Sequence, residues 1–277
     1  MLVTDAQVHL WEAERPDRPW RKLERPPHRP NGFSAEEMLA EMDATGVDRA
    51  VIVPPSWEGD RNDLAIAAVQ AHPDRFAIMG RFNPEMPGAR ELIPGWTRQP
   101  GMLGMRFSYH LPVMRQPLLD GKFDWVWGEV EKAGFPLMVL APHSLMSYFG
   151  KIAERHPGLR LTLDHLGLAS TDKDELAFRD LDNVLALAKY PNVAAKVSAL
   201  PCYSSDTYPY RSLHPYIRRV YDAFGPKRMF WGTDQSRSPI SYRQGVTLFT
   251  EELPWLKGED REWVMGRGIC EWLGWKL

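Results

Sequence analysis

The residues of this chain best equipped for chemistry stand where apolar runs end. Asp234 follows Met229-Phe230-Trp231-Gly232, a run that reads as a buried strand with an acid at its carboxyl edge. His165 closes the apolar run beginning at Leu159, and Arg106 lies near the end of the run Gly101–Phe107. Lys196 and Ser198 are embedded among Val193, Ala194, Ala195 and Val197, where a lysine needs a reason. Asp5, Gln7 and His9 alternate along Leu2–His9 and, by parity, share one face. Together these side chains supply the groups of proton transfer and anion binding.

Each has a plainer reading. Asp234 could cap a helix beginning near Ser238 or Ser241. His165 could be a hydrogen-bonded structural histidine, and Lys196 a surface charge. Repetition of one pattern at several strand ends favours a shared site. Asp164 has the opposite parity to its neighbour His165 and is expected to face the helices. His28, His72, His110, His143, His156 and His214 read as loop or helix residues, with His110 and His143 the candidates for exceptions.

The elements that would position these groups alternate. Strands are expected at Leu2–His9, Asp48–Pro55, Phe76–Asn83, Gly101–Phe107, Pro136–Ala141, Leu159–His165, Val193–Ser198 and Arg228–Thr233. Ser34-Ala-Glu-Glu37 is a capping box opening the first helix. Further helical spacing falls at 63–72, 88–96, 123–133, 145–156, 175–189, 216–224, 242–252 and 260–273. Eight βα units in 277 residues point to a single (β/α)₈ TIM barrel of class α/β. A doubly wound sheet would want a glycine-rich phosphate loop after the first strand, and there is none. One domain is expected over 1–277, with an extended loop around 11–33 and a C-terminal helix over 259–273.

Composition narrows the function classes. Hydrophobic residues make up 44% and charged residues 25%, enough for a large core. A net charge of −2 with scattered Lys and Arg gives no footprint for nucleic acid. No apolar run approaches a membrane span, no signal-peptide pattern opens the chain, and two distant cysteines read as reduced thiols; a cytoplasmic protein is expected. Eleven Trp and 24 Pro suit rigid loops around a pocket, although most Trp residues serve the core.

Four segments carry a family resemblance: Thr4-Asp-Ala-Gln-Val-His9, Gly104-Met-Arg106, Leu163-Asp-His-Leu-Gly167 and Trp231-Gly-Thr-Asp234. In this order they resemble the amidohydrolase superfamily, in its lactonase-like branch typified by 2-pyrone-4,6-dicarboxylate lactonase. The family's first strand usually reads His-x-His; here Gln7 replaces the first histidine, so the resemblance carries over His9, His165 and Asp234 alone. An amide is a poor metal ligand. The resemblance therefore implies a hydrolase that requires no cofactor, with one divalent metal such as zinc, held by His9, His165 and Asp234, as the alternative. It further implies hydrolysis of a small carboxylated lactone or related ester. Asp234 would be an uncompensated general base, with His165 and His9 donating to the developing oxyanion. Arg106 would bind a substrate carboxylate bidentately, Gln7, Lys196 and Ser198 would add substrate contacts, and Trp57, Tyr109 and the 11–20 loop would wall the pocket. A metal-dependent decarboxylase of an aromatic or muconate-type acid and a non-catalytic ligand-binding barrel are the alternatives. The expected partner is a small molecule; monomer and homo-oligomer stay open.

Overall fold

The computed structural model describes residues 1–22, 28–110 and 112–276. Eight strands form one parallel sheet in chain order: β1 (Thr4–Val8), β2 (Arg49–Ile52), β3 (Phe76–Arg81), β4 (Met102–Ser108), β5 (Leu137–Leu140), β6 (Leu161–Leu163), β7 (Val193–Ser198) and β8 (Met229–Gly232). Helical segments separate successive strands, as parallel pairing requires. The expected TIM barrel is the observed fold. Among the described residues no helix is long and apolar enough to cross a membrane.

The barrel closes where β8 meets β1, and a carboxylate holds the seam. Asp234 N donates to Gln7 O at 3.0 Å. Asp5 Oδ1 accepts from Gln7 N and Thr233 N, each at 2.9 Å, while its Oδ2 accepts from the Thr233 hydroxyl and from Tyr242 Oη at 3.0 Å. Burial pushes the Asp5 carboxyl up to about 6, against the pull of these donors. Asp5 thus serves closure and stands apart from the mouth. The same-face expectation for Asp5, Gln7 and His9 fails because the register slips between Asp5 and Val8. That bulge lets Ala6 and Gln7 both turn inward, resetting the alternation.

Small and flexible apolar side chains fill the barrel interior. Ala6, Val51, Met79, Met138, Ala194 and Phe230 pack there against Ile269, Cys270 and Leu273 of the C-terminal helical run. That run passes through Gly258–Glu262, a π-type turn at Trp263–Arg267 and Gly268–Leu273, close to the expected 259–273. A Cβ on Gly104 would sit 2.2 Å from Pro136 O, which explains the glycine in Gly104-Met-Arg106.

The helices depart from expectation in two places. The stretch 175–189 is broken into Asp174–Phe178, Leu181–Leu185 and a tight turn over Ala186–Lys189. A helix at Pro112–Leu119 was hidden by Pro117 within it. In the expected 11–33 loop, Trp11–Glu12 pairs antiparallel with Gly32–Phe33, and residues 23–27 lie outside the described residues.

Asp5→Ala would strand four donors at the seam. The expected loss is about 3 kcal/mol of unfolding free energy, measured by urea denaturation. A variant as stable as the wild type would assign closure to packing and the Asp234–Gln7 backbone bond alone.

Candidate active site

Left-handed turns at the strand ends bring the site together. His165 (φ 51°) and Leu166 (φ 53°) follow β6, Ala199 (φ 58°) follows β7 and Asp234 (φ 51°) follows β8. Such conformations cost about 1–2 kcal/mol each outside glycine and cluster at functional sites. They also explain why parity misplaced Asp164. Thr162 pairs with Met138 and Ala194, two interior residues, so alternation points Asp164 inward. The turn at His165 then swings its ring inward as well.

The inward groups form one continuous polar chain. Arg106 Nε donates to Asp164 Oδ2 at 2.9 Å, and Asp164 Oδ1 lies 2.8 Å from Lys196 Nζ. Lys196 also donates to Gln7 Oε1 and, at 3.3 Å, to Ala6 O. Gln7 Nε2 lies 3.2 Å from His9 Nε2, and His9 Nδ1 lies 2.5 Å from Val53 O. A carbonyl only accepts, so His9 Nδ1 donates to Val53 O, and Nε2 accepts from the Gln7 amide, whose oxygen is taken by Lys196. His9 Nε2 then faces Asp234 Oδ1 at 3.2 Å. His165 approaches Asp234 Oδ2 with Nε2 at 3.7 Å and is fixed through Nδ1 by Ser198 Oγ at 2.8 Å.

Asp234 is not the uncompensated carboxylate that was expected. Arg237 Nε lies 2.8 Å from its Oδ2 and Arg237 Nη2 donates to Tyr203 Oη at 2.7 Å. Burial opposes ionisation, but with the Arg237 guanidinium beside it the carboxyl is held well below its ordinary range. Burial lowers His165 to about 3 and His28 to about 4, so both are neutral at pH 7.

These residues open onto a cavity of about 430 Å³. His9, His165, Asp234, Arg106 and Trp57 line it. Gln7, Lys196 and Ser198 do not: they are fully buried behind the wall and hold the residues that do. Tyr109 lines a separate side cavity. Arg106 has its Nε on Asp164 and its Nη1 on Ser108, so its bidentate edge is already committed.

Two wall residues were missed. His28 packs 4.9 Å from Trp57, bonds Ser236 Oγ at 2.7 Å and lines the cavity, although it came from a loop without periodicity. Arg237 follows Asp234 by three residues, a spacing that a tight turn makes adjacent. His110 also lines the cavity; His143 instead bonds Leu166 O at 2.8 Å.

A family model described as Amidohydrolase matches residues 4–267. The chain belongs to the amidohydrolase family. This amidohydrolase is 26% identical over 250 residues to the L-fucono-1,5-lactonase of Burkholderia ambifaria, covering 83% of this chain and 79% of that one. It is 26% identical over 209 residues to the 4-sulfomuconolactone hydrolase of Hydrogenophaga intermedia, covering 73% and 65%. An amidohydrolase of Burkholderia multivorans with bound zinc superimposes with a TM-score of 0.82 at 19% identity, covering 99% of each chain. Like its named relatives, the chain is a hydrolase.

The metal question turns on the donors of this amidohydrolase. His9 Nε2, His165 Nε2 and the Asp234 carboxylate are the groups that could approach an ion. Among the described residues no three His, Cys, Asp or Glu side chains are arranged to hold one.

Asp164 makes the buried charges testable. Burial pushes its carboxyl up, but Lys196 and Arg106 outweigh this and bring it to about 2, from an ordinary 3.8. A depressed carboxyl stabilises the fold above its unfolded value and loses that contribution as pH falls from 3.8 towards 2. Asp164→Asn leaves Lys196 and Arg106 without their shared counter-charge, so the expected loss at neutral pH is about 3–5 kcal/mol. The deficit should shrink as pH falls through that window. A deficit independent of pH, in urea titrations of both proteins, would refute the charge origin.

Proposed function

We propose that the chain hydrolyses a small carboxylated lactone without a metal ion, using Asp234 to receive a proton from water. The observation that carries this reading is a buried carboxylate set between two imidazoles and a guanidinium on the floor of a 430 Å³ cavity. The names of the two relatives, an L-fucono-1,5-lactonase and a 4-sulfomuconolactone hydrolase, support a lactone as the substrate, and the anionic group is inferred from Arg106.

Each residue has a distinct task. A water oxygen bonds to the lactone carbonyl carbon as one of its protons passes to Asp234 Oδ1. His9 Nε2, 3.2 Å away, shares that proton, which offsets the weak basicity of a carboxylate held low by Arg237. His165 Nδ1 lies 2.8 Å from Ser198 Oγ and 3.4 Å from Ser198 O; with the Ser198 hydroxyl donating to Nδ1, the imidazole proton stands on Nε2 and is donated to the developing oxyanion. The role first assigned equally to both histidines divides: His165 donates and His9 accepts. Collapse of the tetrahedral species breaks the ring C–O bond, and the proton held by Asp234 and His9 passes to the leaving oxygen. The product is a hydroxy acid, and atoms and charge balance. Gln7, Lys196 and Asp164 act by positioning; Arg106 attracts the substrate's anionic group.

The donor set does not fit a divalent metal. Arg237 occupies Asp234 Oδ2, Lys196 occupies the Gln7 oxygen and the Gln7 amide nitrogen faces His9 Nε2. A second cation would meet the Arg237 guanidinium in contact with its carboxylate ligand. The same observation removes the main requirement of the metal-dependent decarboxylase reading.

A panel of carboxylated five- and six-membered lactones, followed by proton release, tests the proposal. Asp234→Asn should lower kcat by about 10²–10⁴-fold. It should also lower stability, because Arg237 loses its ion pair. Near-full activity of this variant on a confirmed substrate would contradict the proton-acceptor role. Because Asp234 is held well below 3.8, its ionisation should leave the rate flat from about pH 5 to pH 7. An acidic limb centred within that range would place the essential ionisation on another group.

A further inference from the structure

Beside the main cavity lies a second one of about 180 Å³, with Arg106 in the wall of both. Its lining includes Arg81, Ser108 and Tyr109, with Arg21 and Asp60 also contributing. Arg81 closes β3 beside Arg106 in the register, so two guanidiniums share one level of the barrel. Both donate to Ser108 Oγ, Arg81 from Nη1 at 3.1 Å. Arg81 is only 8% exposed.

The charges around Arg81 do not balance. Among the described residues no carboxylate lies within ion-pair reach of it. Arg106 already has Asp164, and Asp60, the acid that acts on Arg81 from a distance, is bonded to Arg21 at 2.5 Å. Burial and the neighbouring Arg106 charge together pull the guanidinium down to about 9, the signature of a cation lacking its anion. Among the described residues the Tyr109 hydroxyl, buried and lining the same cavity, also finds no hydrogen-bond partner. The arrangement is held rigidly: Asn62 Oδ1 accepts from Arg81 N at 2.7 Å and Asn62 Nδ2 donates to Arg81 O at 2.9 Å. A buried cation and an orphaned hydroxyl around one cavity are costly unless something fills it.

We propose that Arg81, Arg106 and Tyr109 form an anion subsite that receives a carboxylate or sulfonate carried by the substrate away from the bond that is hydrolysed. This rests on the lactone-hydrolase reading for the word substrate; the anion subsite itself does not require turnover. Arg106 stands in the wall of both cavities, so an anion held beside Arg81 and Arg106 borders the space that Asp234 lines. Arg81 supplies the guanidinium edge that Arg106, committed to Asp164 and Ser108, cannot offer. Substrates of this enzyme are therefore anionic, and neutral sugar-type lactones are poor ligands.

Binding without turnover tests this separately from catalysis. Propionate, methanesulfonate and neutral propionamide are titrated at constant ionic strength into wild type, Arg81→Met and Arg81→Lys, by calorimetry and thermal melting. Wild type should bind at least one of the two anions about tenfold tighter than the amide, consistent with charge-assisted hydrogen bonds. The preferred anion distinguishes a planar carboxylate from a tetrahedral sulfonate. Arg81→Met should lose that preference yet melt at or above the wild-type temperature without ligand, since it removes an uncompensated buried charge. Arg81→Lys, which keeps the charge without the fork, should bind the anion more weakly than wild type and covers the case in which the methionine variant does not fold. Equal binding of anions and amide by wild type would overturn the subsite. So would anion binding unchanged in either variant, or loss of stability in a folded Arg81→Met. None of these outcomes depends on whether Asp234→Asn retains activity.

Discussion

The ion pair between Lys196 and Asp164 is the interaction on which the interior of this barrel depends. Both side chains are fully buried, 2.8 Å apart, and neither could stay charged there alone. Their pairing sets everything on either side of them. Asp164 takes the Nε edge of Arg106, and Lys196 takes the oxygen of Gln7, which turns the Gln7 amide nitrogen to His9. His9 is thereby left with an acceptor nitrogen facing Asp234. Five strands contribute to the chain Arg106–Asp164–Lys196–Gln7–His9–Asp234, so the site is as rigid as the barrel. A glutamine in the first-strand motif is accordingly no simple loss of a ligand. It connects the buried ammonium to the histidine, and its amide serves both because one end accepts and the other donates.

Much of this was legible in the sequence. The β–α alternation gave the barrel, and the strand-end pattern marked His9, Arg106, His165 and Asp234, all of which line one cavity. Parity failed where the backbone departs from a regular strand. A bulge in β1 turned Asp5 to the seam and kept Gln7 inside, and the left-handed His165 brought an adjacent acid and histidine to the same side. Neither event leaves a mark in hydrophobic alternation, because every residue of β1 is buried and a fully buried strand hides its own register.

Other omissions have their own causes. Lys196 attracted notice because a lysine among apolar residues is rare, and Arg81, at the end of Phe76-Ala-Ile-Met-Gly, carries the same signal without having been weighed. Arg237 was invisible because its role depends on a three-residue turn after Asp234. His28 comes from a segment whose placement owes nothing to local periodicity and everything to packing against Trp11 and Trp57. Sequence patterns thus located the carboxylate but not its counter-charge, and the counter-charge decides how strong a base it can be.

The central claim is that a fixed chain of protein charges, ending in the His9–Asp234–Arg237 group, does the work without a metal ion. Elemental analysis by mass spectrometry on the same sample used for lactone turnover tests it most directly. The account predicts full turnover, on whichever lactone is hydrolysed, in protein whose zinc, manganese and iron together lie far below one ion per chain. Turnover that rises in proportion to bound metal and saturates at one ion per chain would contradict it.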